Sequence, residues 1–219
     1  MTRFRGFSQD TTEFFAELAV NNRRDWWLAN KPRFDASVRD PMRALLDELE
    51  ATWGTLVAFR MNRDTRFSSD KAPYKTAHAA MGETEGGSAH YVQIAGDGLF
   101  AGAGMYHLAR DQLARFRAAV GDDRSGAALL SATAAATGAG LEVTGGASQL
   151  VSAPRGWPRD HPRIEQLRWT GCVASRQFGA PVWLGTRRVV TEVARVWERA
   201  APVVAWLDTH VGPSELPPG

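Results

Sequence analysis

The sequence predicts an α+β fold: N-terminal helices, a central antiparallel sheet arranged as a meander, and C-terminal helices. Three observations lead to it. Apolar residues recur at helical spacing through the first quarter, from Phe14 to Trp53. In the middle the period drops to two, and glycine turns rather than helices separate the strands so marked. Beyond Leu108 helical spacing returns, with no βαβ alternation and no internal repeat.

The elements follow in order. Ser8-Gln9-Asp10-Thr11-Thr12-Glu13 supplies N-cap residues, Phe14, Phe15, Leu18 and Ala19 share a helical face, and Asn21-Asn22 stops the pattern. Asp25-Trp26-Trp27 opens a second short helix, and Pro32 marks the start of another with Phe34 and Val38 on one face. Asp40-Pro41 reads as a cap with proline at the first helical position. Met42, Leu45, Leu46, Leu49 and Trp53 then form an amphipathic stripe that Gly54 ends. Residues 57–67 are expected to be extended, and 75–81 to form a strand. Glu83-Thr84-Glu85-Gly86-Gly87 is a turn, residues 90–94 a strand, Gly96-Asp97-Gly98 a tight turn and 99–106 the returning strand. Helices are expected over 108–120 and 122–137, while the glycine-rich stretch 141–150 carries no clear period. Asp160-His161-Pro162 caps a short helix through Leu167, residues 171–178 form the last strand, and 185–201 a helix that Pro202 breaks or kinks before a further turn to His210. With no long linker, residues 1–212 read as one α+β domain and 213–219 as a flexible tail.

Composition excludes several classes. The 44% apolar and 23% charged content of the 219 residues is that of a folded protein, not of a disordered or fibrous one. No run approaches about 18 apolar residues, so neither a membrane-spanning helix nor a membrane partner is expected. Met1 leads into Thr-Arg-Phe-Arg-Gly with no apolar stretch of a secretory signal. Cys172 is the only cysteine, which forbids an internal disulfide. The expectation is a cytoplasmic protein without a required cofactor or metal.

The net charge of +2 implies no polyanionic partner by itself, but the charge is unevenly placed. Arg60, Arg63, Arg66, Lys71 and Lys75 stand against Asp64 and Asp70, and Arg155, Arg159, Arg163, Arg168 and Arg176 against Asp160 and Glu165. Two of the three lysines in the chain fall in the first segment. Its core, Arg63-Asp64-Thr65-Arg66-Phe67-Ser68-Ser69-Asp70-Lys71-Ala72-Pro73-Tyr74-Lys75, mixes cations, carboxylates, hydroxyls and a phenol with apolar residues that a solvated ion-pair loop does not need. Arginine grips phosphate or carboxylate bidentately. Arg63, Arg66 and Lys75 are therefore candidate anion ligands, Asp64, Asp70 and Lys71 candidate acid–base groups, and Tyr74 a candidate hydrogen-bond donor. From the second segment Arg155, Arg159 and His161 join the ligand set, with Trp157 to stack on a planar group.

Phe4-Arg5-Gly6-Phe7, Asn21-Asn22 followed by Trp26, and the 63–75 motif resemble an uncharacterised family catalogued as a domain of unknown function and found in bacteria and fungi. The likeness continues through Tyr91-Val92, Gly102-Ala103-Gly104 and Asp160-His161-Pro162, and so covers most of the chain; Trp27 departs slightly, standing where a smaller aromatic is usual. The resemblance implies a single α+β domain and assigns no catalytic residue.

Other patterns are weaker. Gly102-Ala103-Gly104 lacks the third glycine of a dinucleotide loop, whose place His107 takes, and suits a close approach of backbone better. His78, His90, His107, His161 and His210 have no paired metal-ligand spacing, although His90 and His107 fall on strands that can be neighbours. There is no G-x-S-x-G motif or P-loop, and Cys172 belongs to a core strand. The favoured reading is an anion-recognising pocket floored by residues 63–75 and closed by 155–163. Such a pocket suits a hydrolase or transferase acting on a phosphate- or carboxylate-bearing small molecule. The alternatives are a nucleic-acid-binding protein that combines basic segments with aromatic stacking, and a structural adaptor with a buried salt-bridge network.

Overall fold

The computed structural model describes residues 3–64 and 71–217. Helices α1 (Gln9–Val20), α2 (Arg24–Phe34) and α3 (Asp40–Trp53) come first, with the π-helical turn Asp35–Arg39 between α2 and α3. Strands β1 (Val57–Ala58), β2 (Ala77–Glu83), β3 (Ala89–Ala95) and β4 (Gly98–Met105) follow. Then come α4 (Arg110–Gly121), α5 (Asp123–Gly138), β5 (Glu142–Thr144), α6 (Ile164–Leu167), β6 (Cys172–Gly179), a 3-10 turn (Val182–Gly185) and α7 (Arg188–His210). The strands form one antiparallel sheet in the order β1-β2-β3-β4-β6-β5, with Val57 opposite Met81 and Val143 opposite Ala174. This is the α+β arrangement expected. The chain divides into two compact units, the first comprising residues 1–82, 91–101 and 177–194 and the second residues 83–90, 102–176 and 195–219.

In the first unit, α1 buries Phe14, Phe15 and Leu18, and α3 buries Met42, Leu45, Leu46 and Leu49. Three helices were expected to begin afresh at Asp25, Pro32 and Asp40, but α2, the π turn and α3 run on without a gap. The reason lies outside the local sequence. Pro41 has no N–H for the carbonyl of Ser37 one turn back, and the hydroxyl of Thr11 in α1 donates to that oxygen at 2.7 Å instead. A tertiary donor replaces the missing helical one, and the π turn takes up the local change of pitch.

The N-terminal Phe4-Arg5-Gly6-Phe7 is fixed in the same unit. Gly6 has φ 123°, and a Cβ there would lie 2.1 Å from the carbonyl carbon of Gly185, so only glycine fits. The Phe7 amide donates to the Leu184 carbonyl at 2.9 Å. Arg187 spans both carboxylate oxygens of Glu48 at 2.7 Å and also donates to the Phe4 carbonyl.

In the second unit, Phe116 and Val120 of α4 and Leu129 of α5 enter the core. Asp122 caps α5, accepting from the amides of Arg124 and Ser125. Asp208, late in α7, holds the turn between β2 and β3, accepting from the Thr84 hydroxyl at 2.9 Å and the Ser88 amide at 3.1 Å. Pro202 neither breaks nor ends α7, which runs unbroken to His210; Pro202 and Glu198, whose carbonyl lies one turn before it, are exposed, so water can serve that oxygen. Residues 213–215 bond to α4, with Arg115 donating to the Pro213 carbonyl and the Glu215 amide to Asp111. Gly102 and Gly104 mark close contact between strands: a Cβ on Gly104 would lie 2.2 Å from the Cys172 carbonyl oxygen.

Candidate functional site

The basic segment of the first unit is built on a narrow stem. Among the described residues of the stretch expected to be extended over 57–67, Val57–Ala58 pairs as a strand and Asn62 makes an isolated antiparallel bridge with Tyr74; residues 65–67 lie outside the described residues. Pro73 explains why the ladder stops: it has no N–H to give, and only its carbonyl takes part, accepting from the Arg63 amide at 2.9 Å. On the other side of the bridge the Lys75 amide donates to the Met61 carbonyl at 2.8 Å.

A side chain from the helical region reinforces this stem. The Asn22 amide nitrogen donates to the Tyr74 carbonyl at 2.8 Å, and its oxygen accepts from the Tyr74 amide at 3.1 Å. Trp27 stacks on the Tyr74 ring, with centroids 4.4 Å apart and planes 17° from parallel. Asn22 and Trp27 of the first motif thus both meet Tyr74 of the second.

The stem gathers Arg63, Asp64, Lys71, Tyr74 and Lys75 in the first unit. Arg63, Asp64 and Lys71 are exposed, Lys75 is half-buried, and Tyr74 is 6% exposed. The Lys75 ammonium lies 5.1 Å from the centroid of Phe59. Arg66 and Asp70 lie outside the described residues.

One residue of this region escaped the sequence reading. His78 opens the inner face of β2, is 5% exposed, and finds no hydrogen-bond partner for either ring nitrogen among the described residues. The Phe34 ring meets it edge-on at 5.5 Å. Burial pushes its pKa down to about 4, and the Lys75 charge pushes the same way, so the imidazole is neutral at neutral pH. The one hint in the sequence was a histidine between alanines, Ala77-His78-Ala79-Ala80, a setting with few local partners.

The second basic segment belongs to the second unit, where the structure places Arg155, Trp157, Arg159 and His161 on one loop. Arg155 and Arg159 are exposed. Trp157 is half-buried: its six-membered ring lies against Gly121, where a Cβ would sit 1.9 Å away, and its indole meets His161 edge-on at 5.4 Å. His161 Nδ1 accepts from the Arg163 amide at 3.1 Å. Arg163 has a constructional task. Its buried guanidinium donates to the Val120 carbonyl at 2.6 Å and to the Gly121 carbonyl and Asp123 carboxylate at 2.9 Å, closing the corner between α4 and α5. A cation is well placed on carbonyls left over at a helix C-terminus. Arg168 is likewise committed, to Glu165 at 3.1 Å and the Val151 carbonyl.

Cys172 is fully buried and its thiol is pushed up to about 12, which leaves no thiolate for nucleophilic chemistry. His90 packs against Trp197 at 5.1 Å, while His107 is exposed. Among the described residues no cluster of three or more His, Cys, Asp or Glu is placed to hold a metal ion, and no helix is long and apolar enough to cross a membrane.

Fold and site together define an α+β protein whose basic loop is anchored to its helical region through an asparagine and a stacked aromatic pair. The family model described as conserved hypothetical protein (DUF2461) matches residues 10–206, and the chain belongs to that family. Nothing among curated proteins or solved structures matches it.

Proposed function

We propose that the 63–75 segment recognises an anionic small molecule bearing a phosphate or carboxylate. The observation that carries this reading is the pinned stem. Asn22 holds both backbone groups of Tyr74, and the bridge beside it orders the backbones of Arg63 and Lys75, so these cations project from a scaffold ordered before any ligand arrives. A loop that only solvates ion pairs gains little from such anchoring. In this reading Arg63, Arg66 and Lys75 neutralise the anion and Tyr74, fixed by Trp27, donates a hydrogen bond. Asp64, Asp70 and Lys71 move protons if the bound molecule undergoes hydrolysis or group transfer.

Thermal unfolding in rising phosphate tests the proposal, with chloride of matched ionic strength as reference. A specific site gives an increase in Tm that follows ln(1 + [L]/Kd), equivalent to about 2.7 kcal/mol at a hundredfold excess over Kd. General exclusion of phosphate from the surface stabilises every variant alike. The expected result is that Arg63→Ala combined with Lys75→Ala removes the specific part of the shift. Equal shifts in wild type and variant would refute the assignment.

A further inference from the structure

The two faces of the sheet in the first unit differ in exposure along β3. Along β3, Val92 and Ile94 are 0% exposed, whereas Tyr91 and Gln93, which point the other way, remain half-open. Met81 on β2 is half-open as well. Phe59 stands beside Ala79, to whose carbonyl its amide donates at 2.8 Å, and this small neighbour leaves room for the ring to reach across β2. The outcome is a half-exposed row of aromatic rings: Phe59 lies 6.5 Å from Tyr91, and Tyr91 lies 6.0 Å from Phe100. Lys75 closes one end, its ammonium over Phe59 at 5.1 Å.

We propose that this face is a stacking platform for single-stranded nucleic acid. Bases lie on Phe59, Tyr91 and Phe100, and the phosphates are met by Lys75 and by Arg63, whose backbone is held on the same stem. The proposal rests on the anion-binding reading, because it uses the same cations. Charge and composition favour this occupant. Residues 59–76 carry Arg60, Arg63, Arg66, Lys71 and Lys75 against Asp64 and Asp70. Among the described residues Val57, opposite Met81, is the one branched aliphatic exposed beside the rings; rings edged by cations match bases joined by phosphates. The Tyr91 hydroxyl donates to Gln93 Oε1 at 2.7 Å, so the Gln93 amide keeps N–H donors for a base edge. Three rings in a row offer surface to more than one base, which makes a strand the fitting occupant rather than a lone nucleotide.

Fluorescence anisotropy with a labelled fifteen-residue oligothymidylate, on the full chain at low and rising salt, tests the proposal. Saturable binding is expected, with log affinity falling against log salt by about 0.7 per phosphate contact. Tyr91→Leu and Phe100→Leu should each weaken binding by about 5- to 150-fold, the range of one lost base–aromatic stack, with the salt slope unchanged. Lys75→Ala should lower the slope by about 0.7. Phe100→Trp keeps a stacking face and should retain affinity, which separates loss of stacking from loss of folding. Absence of binding at low salt, or wild-type affinity in both leucine variants, overturns the proposal. Thymidine monophosphate binding as tightly as the oligomer overturns the strand as occupant. A specific phosphate shift without oligonucleotide binding would sink the platform and leave the anion site standing; loss of both would remove the two together.

Discussion

A single side chain can tie a stretch of backbone to a distant element. Asn22 does so at Tyr74, because its carboxamide matches both the amide donor and the carbonyl acceptor of that one residue. Asn22→Ala leaves both backbone groups without this partner in a partly buried place and should cost about 1–3 kcal/mol for each group left unsatisfied. Asn22→Asp keeps the acceptor for the Tyr74 amide but faces the Tyr74 carbonyl with negative charge, so it should fall between alanine and wild type. Urea unfolding of the three proteins checks the order. The side chains of this site were legible in the sequence as a dense run of charges and aromatics. That Asn22 and Trp27 serve it was not, because the contact spans 52 positions of the chain.

The same gap between local signal and distant partner governs the elements. Pro32 and Pro41 each argue for a new helix on local rules. The chain nevertheless runs from Arg24 to Trp53 in helical conformation, because Thr11 supplies the hydrogen bond that Pro41 withholds from Ser37. Thr11→Val removes that donor at nearly constant volume and should destabilise by about 1–3 kcal/mol, whereas Thr11→Ser should be close to wild type. Pro41→Ala restores a helical N–H and should reduce the cost of Thr11→Val. Additive unfolding free energies in this double-mutant cycle would rule out the coupling. The strands were easier to read. β3 and β4 follow from alternation and the Gly96-Asp97-Gly98 turn, which are properties of neighbouring residues. Of the residues expected to be extended over 57–67, those described pair at Val57–Ala58 and at the Asn62–Tyr74 bridge, and Pro73 has no amide to continue the ladder there.

For the molecule as a whole, burial of imidazoles is expected to contribute to the response to mild acid. His78 has its pKa pushed from 6.5 to about 4 by burial and by Lys75, and burial also pushes His90 down, opposed in part by Asp208. Where the folded value lies below the unfolded one, the unfolded chain takes up the proton first. The stability linked to His78 is therefore fully present above pH 6.5 and is lost as pH falls toward 4. Each such histidine should add a slope of up to about 1.4 kcal/mol per pH unit in this window. His78→Leu replaces a buried polar ring by an apolar group, so it should be no less stable than wild type at pH 7 and should show a flatter decline. Urea midpoints at pH 7, 6 and 5 measure both effects, and an unchanged slope in His78→Leu would assign the acid response to other groups.

The sequence by itself determined the α+β class, most of the order of helices and strands though not β5, the lack of any span long and apolar enough for a membrane-crossing helix, and the place where charge concentrates. These rest on periodicity, composition and turn chemistry, which neighbouring residues carry among themselves. Only the tertiary structure decided that Asn22 and Trp27 clasp Tyr74, that Arg163 is spent on the corner between α4 and α5, that His78 is buried without a hydrogen-bond partner among the described residues, and that Phe59, Tyr91 and Phe100 share an open face. Each of those outcomes depends on which distant group supplies a hydrogen bond or excludes water. Spacing along the chain says where a side chain points, but not what it meets there.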